Sequence, residues 1–157
     1  LAGVSRLVPA IPMTGRRTAI IAGAVALVAA LAYLRDPPWL GNVTSGMREW
    51  DYSDPRMVFR WTAGRASLFI PGDAKAVIIP LRSGIPGPLT GEVPVEIRID
   101  GRFLATITLT DPMEWVRKEL PLGNRVTRRR FRRIDLHVPR AVGEGNLGVM
   151  TGPPTIW

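Results

Sequence analysis

Arg125, Arg128, Arg129, Arg130, Arg132 and Arg133 form the densest charge feature of the sequence. Guanidinium groups carry fixed donor forks that match carboxylate and phosphate oxygens. The run therefore suits an anionic lipid headgroup, an acidic glycan or an acidic partner surface, or else a solvated strand edge. Tryptophans are the second chemical resource. Trp50, Trp61 and Trp115, with Trp157, offer flat faces on which pyranose rings stack, and equally serve as core or rim fillers. His137 is the only histidine, and no carboxylates stand near it at ligand spacing, so no metal site is read from it. The acids are scattered. They supply no facing pair for glycoside hydrolysis, and no Ser–His–Asp order or phosphate-cradling glycine loop is present. No catalytic, metal-ligating or cofactor-binding residue is assigned, and the chain is read as a non-enzyme that needs no cofactor.

Composition narrows the classes further. The absence of cysteine excludes disulfides, iron–sulfur clusters, thiolate zinc sites and c-type haem attachment. The net charge of +8 divides evenly between residues 1–35, which carry no acid, and the remaining 122 residues. The larger part is thus only mildly basic, and nucleic acid is not expected as a partner.

These residues depend on two kinds of element. Thr18 to Leu34 is a charge-free apolar stretch bracketed by Arg16, Arg17 and Arg35. It reads as a single transmembrane helix, with those arginines snorkelling and Trp39 at the membrane interface. Ala22, Gly23, Ala26, Ala29 and Ala30 would allow close packing against other helices. The same stretch, with Ala30-Leu31-Ala32 as a cleavage site, also fits a secretory signal; the anchor is the reading adopted. Arg6, Arg16 and Arg17 before the span outnumber Arg35 and Arg48 after it. This places the N-terminus in the cytoplasm and the C-terminal domain in the periplasm of a bacterial inner membrane. The expected organisation is a cytoplasmic segment 1–17, a transmembrane helix 18–35, an extended linker 36–56 and a domain 57–157.

From Met57 onward short apolar runs alternate with glycine- and proline-rich turns, the pattern of an antiparallel β-sandwich of jelly-roll type. Strands are predicted at 57–61 and 66–70, separated by Thr62–Arg65, and then at 76–82, 93–99, 103–110, 115–120, 133–138 and 147–151. In the hairpin VPVEIRID-GR-FLATITLT, a three-residue connection at Asp100-Gly101-Arg102 puts Val93, Val95, Ile97, Ile99, Phe103, Ala105, Ile107 and Leu109 on one face. A bulge at Arg132–Arg133 is predicted to return Phe131 to the core. His137, alternating with Leu136 and Val138, points outward.

The order ASLFIP, PVEIRIDGR, W-x-x-x-x-x-LPL, RIDLHV and LGVMTG across 57–157 resembles the non-catalytic, carbohydrate-binding-like β-sandwich domains outside the membrane in bacterial envelope proteins. Some of these are appended to polytopic glycosyltransferases. The resemblance implies the fold and an extracytoplasmic site, and it transfers no binding residue. Two functions are expected from this combination. The first is a single-pass accessory subunit that braces the periplasmic face of a larger membrane complex, photosynthetic or respiratory, with the lipid bilayer and other membrane subunits as partners. The alternative is a membrane-anchored carbohydrate-binding module acting in envelope glycan metabolism.

Overall fold

The computed structural model describes residues 13–84, 92–123, 129–139 and 147–157. The chain divides into two compact units between Pro37 and Pro38. In the first, helix α1 (Met13–Arg35) runs for 23 residues, or about 34 Å at 1.5 Å per residue. That is long and apolar enough to cross a ~30 Å hydrocarbon layer. It begins five residues before the predicted span, so Arg16 and Arg17 lie on the helix itself. Ile20, Ile21, Val25, Leu27, Val28, Leu31 and Leu34 are all exposed along it. A helix apolar on every side suits an apolar solvent better than water. It ends just before Pro37-Pro38, which withdraw backbone donors and clash with a continuing helix.

The second unit is an antiparallel β-sandwich. A short 3-10 turn, η1 (Pro38–Asn42), leads, among the described residues, into ten strands: β1 (Thr44–Met47), β2 (Arg60–Pro71), β3 (Ala76–Ile78), β4 (Leu81–Arg82), β5 (Val93–Ile99), β6 (Arg102–Leu109), β7 (Glu119–Pro121), β8 (Phe131–His137), β9 (Leu147–Thr151) and β10 (Thr155–Ile156). The larger sheet has the order β4-β9-β2-β8-β5-β6 with β1 added on β2, and the smaller one β10-β3-β7. Within the larger sheet the two halves of β2 have different partners: Arg60–Ala63 pair with β9, and Arg65–Pro71 pair with β8. β3 and β4 are two parts of one extended segment interrupted at Ile79–Pro80, and the Pro80 carbonyl accepts a bond from the Gly152 N–H. Leu68, Ile70, Val95, Ile97, Ile134 and Leu136 meet Val77, Ile79, Leu81, Leu120 and Val149 in one core. Each such side chain contributes roughly 1.5–3 kcal/mol by leaving water.

Several local expectations are corrected. Thr62–Arg65 does not separate two strands but lies within one continuous twelve-residue strand. The Thr62 hydroxyl is buried there because it donates to the Val149 carbonyl at 3.0 Å and accepts from the Val149 N–H at 2.9 Å. The segment 36–56 is not wholly an extended linker, since it carries η1 and β1. Between Trp115 and Leu120 the pairing is sparse, limited to an isolated bridge at Val116 and the short β7.

The hairpin combines two registers. Val93 faces Leu109, Val95 faces Ile107 and Ile97 faces Ala105, as the three-residue connection requires. The register then slips, so that Arg98 faces Phe103 and Ile99 faces Arg102 across a two-residue Asp100-Gly101 turn. Both turn residues have positive φ, at 51° and 80°, as a type I′ turn demands. Leu104 is the bulged residue that reconciles the two, and the slip turns Phe103 outward to 63% exposure. Phe103 therefore does not share the buried face. In β8 the pairing with β2 is unbroken from Arg65↔His137 to Pro71↔Phe131, so the bulge expected at Arg132–Arg133 is absent. Phe131 stays on the outer face beneath η1, where a Cβ on Gly41 would lie 2.7 Å from its ring. Arg132 takes the inward position instead.

Candidate functional site

Strand alternation gives the β1-β2-β8-β5-β6 layer an apolar inner face and a polar outer one. Inward go Ala66, Leu68 and Ile70 of β2, Ile134 and Leu136 of β8, and Val95, Ile97 and Ile99 of β5. The intervening residues Arg65, Ser67, Arg133, Asp135, His137, Glu96 and Arg98 share the outer face. The register sorts them into rows. Arg65, His137 and Glu96 stand side by side across three strands, and so do Ser67, Asp135 and Arg98, with Ser45 of β1 beside Ser67. Together with Gly101 of the hairpin turn they line a groove of about 480 Å³.

Two devices shape this groove. β1 reaches β2 through a register shift between Ser45 and Met47. The intervening Gly46 has φ of 63°, and a Cβ there would come within 2.0 Å of the Arg65 carbonyl oxygen. Only glycine permits that approach. At the other end, the Asp100 carboxylate accepts from the Arg132 Nε–H at 3.1 Å and from the Arg133 backbone N–H at 3.0 Å, which fixes the hairpin turn against β8.

The charges within the groove are largely paired along their own strands. Arg98 bonds Glu96 on β5, and Arg133 bonds Asp135 at 2.6 Å on β8. Ser67, only 6% exposed, forms part of the floor. The arrangement is an array of fixed donors and acceptors on rigid strands, suited to holding a hydroxyl-rich ligand.

The arginine run does not stand together as one patch. Arg125 and Arg128 lie outside the described residues. Arg129 and Arg130 are exposed, and the Arg130 guanidinium carbon lies 5.8 Å from the Phe131 ring centroid. Arg132 is buried, bonded to Asp100 and donating from Nη1 to the Leu122 carbonyl at 3.2 Å. Of the run's described residues only Arg133 enters the groove.

The tryptophans are placed apart from the groove. The Arg60 guanidinium carbon sits 4.4 Å over Trp50, and that of Arg82 sits 4.9 Å over Trp115. Trp115 also meets Phe59 at 6.2 Å between ring centroids. Trp61 pairs with Met150, which in turn pairs with Arg82. Arg82 reaches Asp54 at 3.5 Å. All three tryptophans are half-buried, and arginines already cover Trp50 and Trp115. Burial lowers the pKa of Arg60, and hydrogen bonds from the Ser53 side chain and backbone hold the Asp51 carboxyl below the usual carboxylate range.

On α1, Ala22, Gly23, Ala26, Ala29 and Ala30 are exposed, and a Cβ on Gly23 would meet nothing within 4 Å. Arg16, Arg17 and Arg35 flank the apolar stretch of that helix, and Trp39 belongs to η1 of the second unit. Among the described residues no cluster of three His, Cys, Asp or Glu side chains is placed to hold a metal ion.

No protein-family model matches the chain, and no curated protein matches it. Solved structures do resemble it in fold. A family two carbohydrate esterase from Clostridium thermocellum in complex with cellohexaose matches 73% of this chain and 33% of its own, at 18% identity and a TM-score of 0.41. A glycoside hydrolase family 43 arabinoxylan arabinofuranohydrolase from Bacillus subtilis, in complex with cellotetraose, matches 73% and 24% at 9% identity and a TM-score of 0.40. The chain spans a third or less of those chains, and the likeness is one of fold. The expectation of an accessory subunit bracing a photosynthetic or respiratory complex is withdrawn: the solved structures found are of carbohydrate-active proteins.

Proposed function

We propose that the chain is a non-catalytic glycan-binding sandwich carried on a membrane-anchoring helix, and that the outer-face groove is its binding site. The carrying observation is the groove itself. Eight polar or charged side chains from β1, β2, β5 and β8 converge on about 480 Å³. Sugar hydroxyls are small, numerous and bidirectional in hydrogen bonding, and such an array meets them with both donors and acceptors. Glu96 and Asp135 each keep acceptor capacity beyond their arginine bond, while Ser67, His137 and the arginines supply donors.

Binding rather than turnover is the reading because both groove carboxylates are engaged by arginines on their own strands. The helix supports a tether in a bacterial envelope membrane. The basic residues preceding it favour a cytoplasmic N-terminus with the sandwich on the far side, where envelope glycans lie.

A glycan array probed with the full chain in detergent tests this. Wild type should retain one glycan class, and Asp135→Ala/His137→Ala should lose it at unchanged melting temperature. An array without signal, or one on which the double variant binds as wild type does, would overturn the proposal.

A further inference from the structure

We infer that the groove's ligand is an acidic glycan, with Arg65 holding a uronate carboxylate; this rests on the groove being a glycan site. Among the described residues three arginines and two carboxylates line it, an excess of one positive charge. Arg98 is matched by Glu96, and Arg133 by Asp135. Arg65 is left over. It is exposed and forms no ion pair among the described residues.

Its surroundings specify the ligand chemistry. Across the strand pair Arg65 stands beside His137, and beyond His137 stands Glu96. An incoming carboxylate therefore meets a guanidinium fork at one edge of the groove, with an imidazole next to it as a hydrogen-bonding neighbour. Along the rest of the groove, Glu96, Asp135 and Ser67 face the sugar hydroxyls. The single excess charge matches a monoanion such as a uronate. A dianionic phosphate would bring its second charge against Glu96 and Asp135. Neutral sugars are usually gripped by stacking on an aromatic face, yet among the described residues no Trp, Tyr or Phe lines the groove. The faces of Trp50 and Trp115, away from the groove, are covered by Arg60 and Arg82.

Titration calorimetry with the full chain in detergent would use galacturonate, mannuronate and glucuronate oligosaccharides, their methyl esters, cellohexaose and inorganic phosphate. At least one uronate should bind at least tenfold more tightly than its ester and than cellohexaose. Arg65→Gln should abolish the preference for the acid over its ester, with the melting temperature unchanged. Equal affinity for acid and ester, or preference for cellohexaose, would overturn the acidic ligand while leaving a glycan site standing. Phosphate binding as tight as the uronate would make the site one for simple anions and overturn the assignment. Undiminished acid preference in Arg65→Gln would remove Arg65 from the role. Binding of none of these sugars would overturn both this inference and the glycan reading.

Discussion

Arg132, 3% exposed on β8, is held by the Asp100 carboxylate at 3.1 Å, so a side chain from a run of surface-type residues becomes part of the interior. The Asp100 N–H also donates to the Arg133 carbonyl at 2.8 Å, and the pairing locks the β5–β6 turn to β8 beside the groove. Removing one partner of a buried pair strands the other charge. Asp100→Ala should therefore lower unfolding stability by about 3 kcal/mol, somewhat less if water reaches the partly exposed Asp100 site. Asp100→Asn combined with Arg132→Met should recover most of that loss. Chemical denaturation of the full chain measures both, and a neutral Asp100→Ala would show that the bond carries no stability.

The core was legible because alternation is a local signal. Val93, Val95, Ile97 and Ile99 alternate with polar residues, and all four are buried. What alternation could not convey was which distant strand lies alongside. Outward positions for His137 and Glu96 follow from their own strands, but their meeting with Arg65 depends on β2-β8-β5 pairing over long sequence separations. Thr62–Arg65 interrupts the apolar pattern in sequence, whereas β9 satisfies the buried Thr62 hydroxyl and the strand runs on. Phe103 misled because one extra residue, Leu104, reverses the faces. The arginine run looked like a single feature, yet strand alternation separates Arg132 from Arg133 by pointing one inward and one outward.

Ile97 is fully buried against Leu136 in the neighbouring strand. A carboxylate there would have no partner, and its burial costs several kcal/mol, on the order of the whole ~5–15 kcal/mol stability of a domain. Ile97→Asp should not yield a protease-resistant sandwich. A folded, resistant variant would contradict the register of β5.

Gly46 offers a test of the groove's architecture that leaves every groove side chain in place. Ala at that positive φ costs about 1–2 kcal/mol in backbone strain alone. Its Cβ would also press on the Arg65 carbonyl, so β1 must move away from β2. Gly46→Ala should lower the melting temperature and weaken glycan binding together. Gly101→Ala is the comparison, since its turn has room for a Cβ and only the positive φ is strained. Equal binding by Gly46→Ala and wild type would separate β1 from the site.

The lowered pKa of Asp51 gives a pH-dependent contribution of known sign. A carboxylate depressed in the folded state stabilises above its unfolded value and loses that effect as pH falls through the folded one. The Ser53 hydrogen bonds are the cause, and the unperturbed value is 3.8. Asp51→Asn should melt below wild type at neutral pH, and the two should converge in acid as the pH falls through the lowered folded value. A gap that persists unchanged in acid would contradict the assignment.

The most direct measurement compares the two places where this domain could hold a sugar. The glycan selected on the array is titrated into the full chain carrying Asp135→Ala/His137→Ala, and separately into the chain carrying Trp50→Ala. The groove account expects the first variant to lose at least tenfold in affinity and the second to bind as wild type does. Retained binding in the groove variant, with loss in Trp50→Ala, would contradict the account and place recognition on the tryptophans.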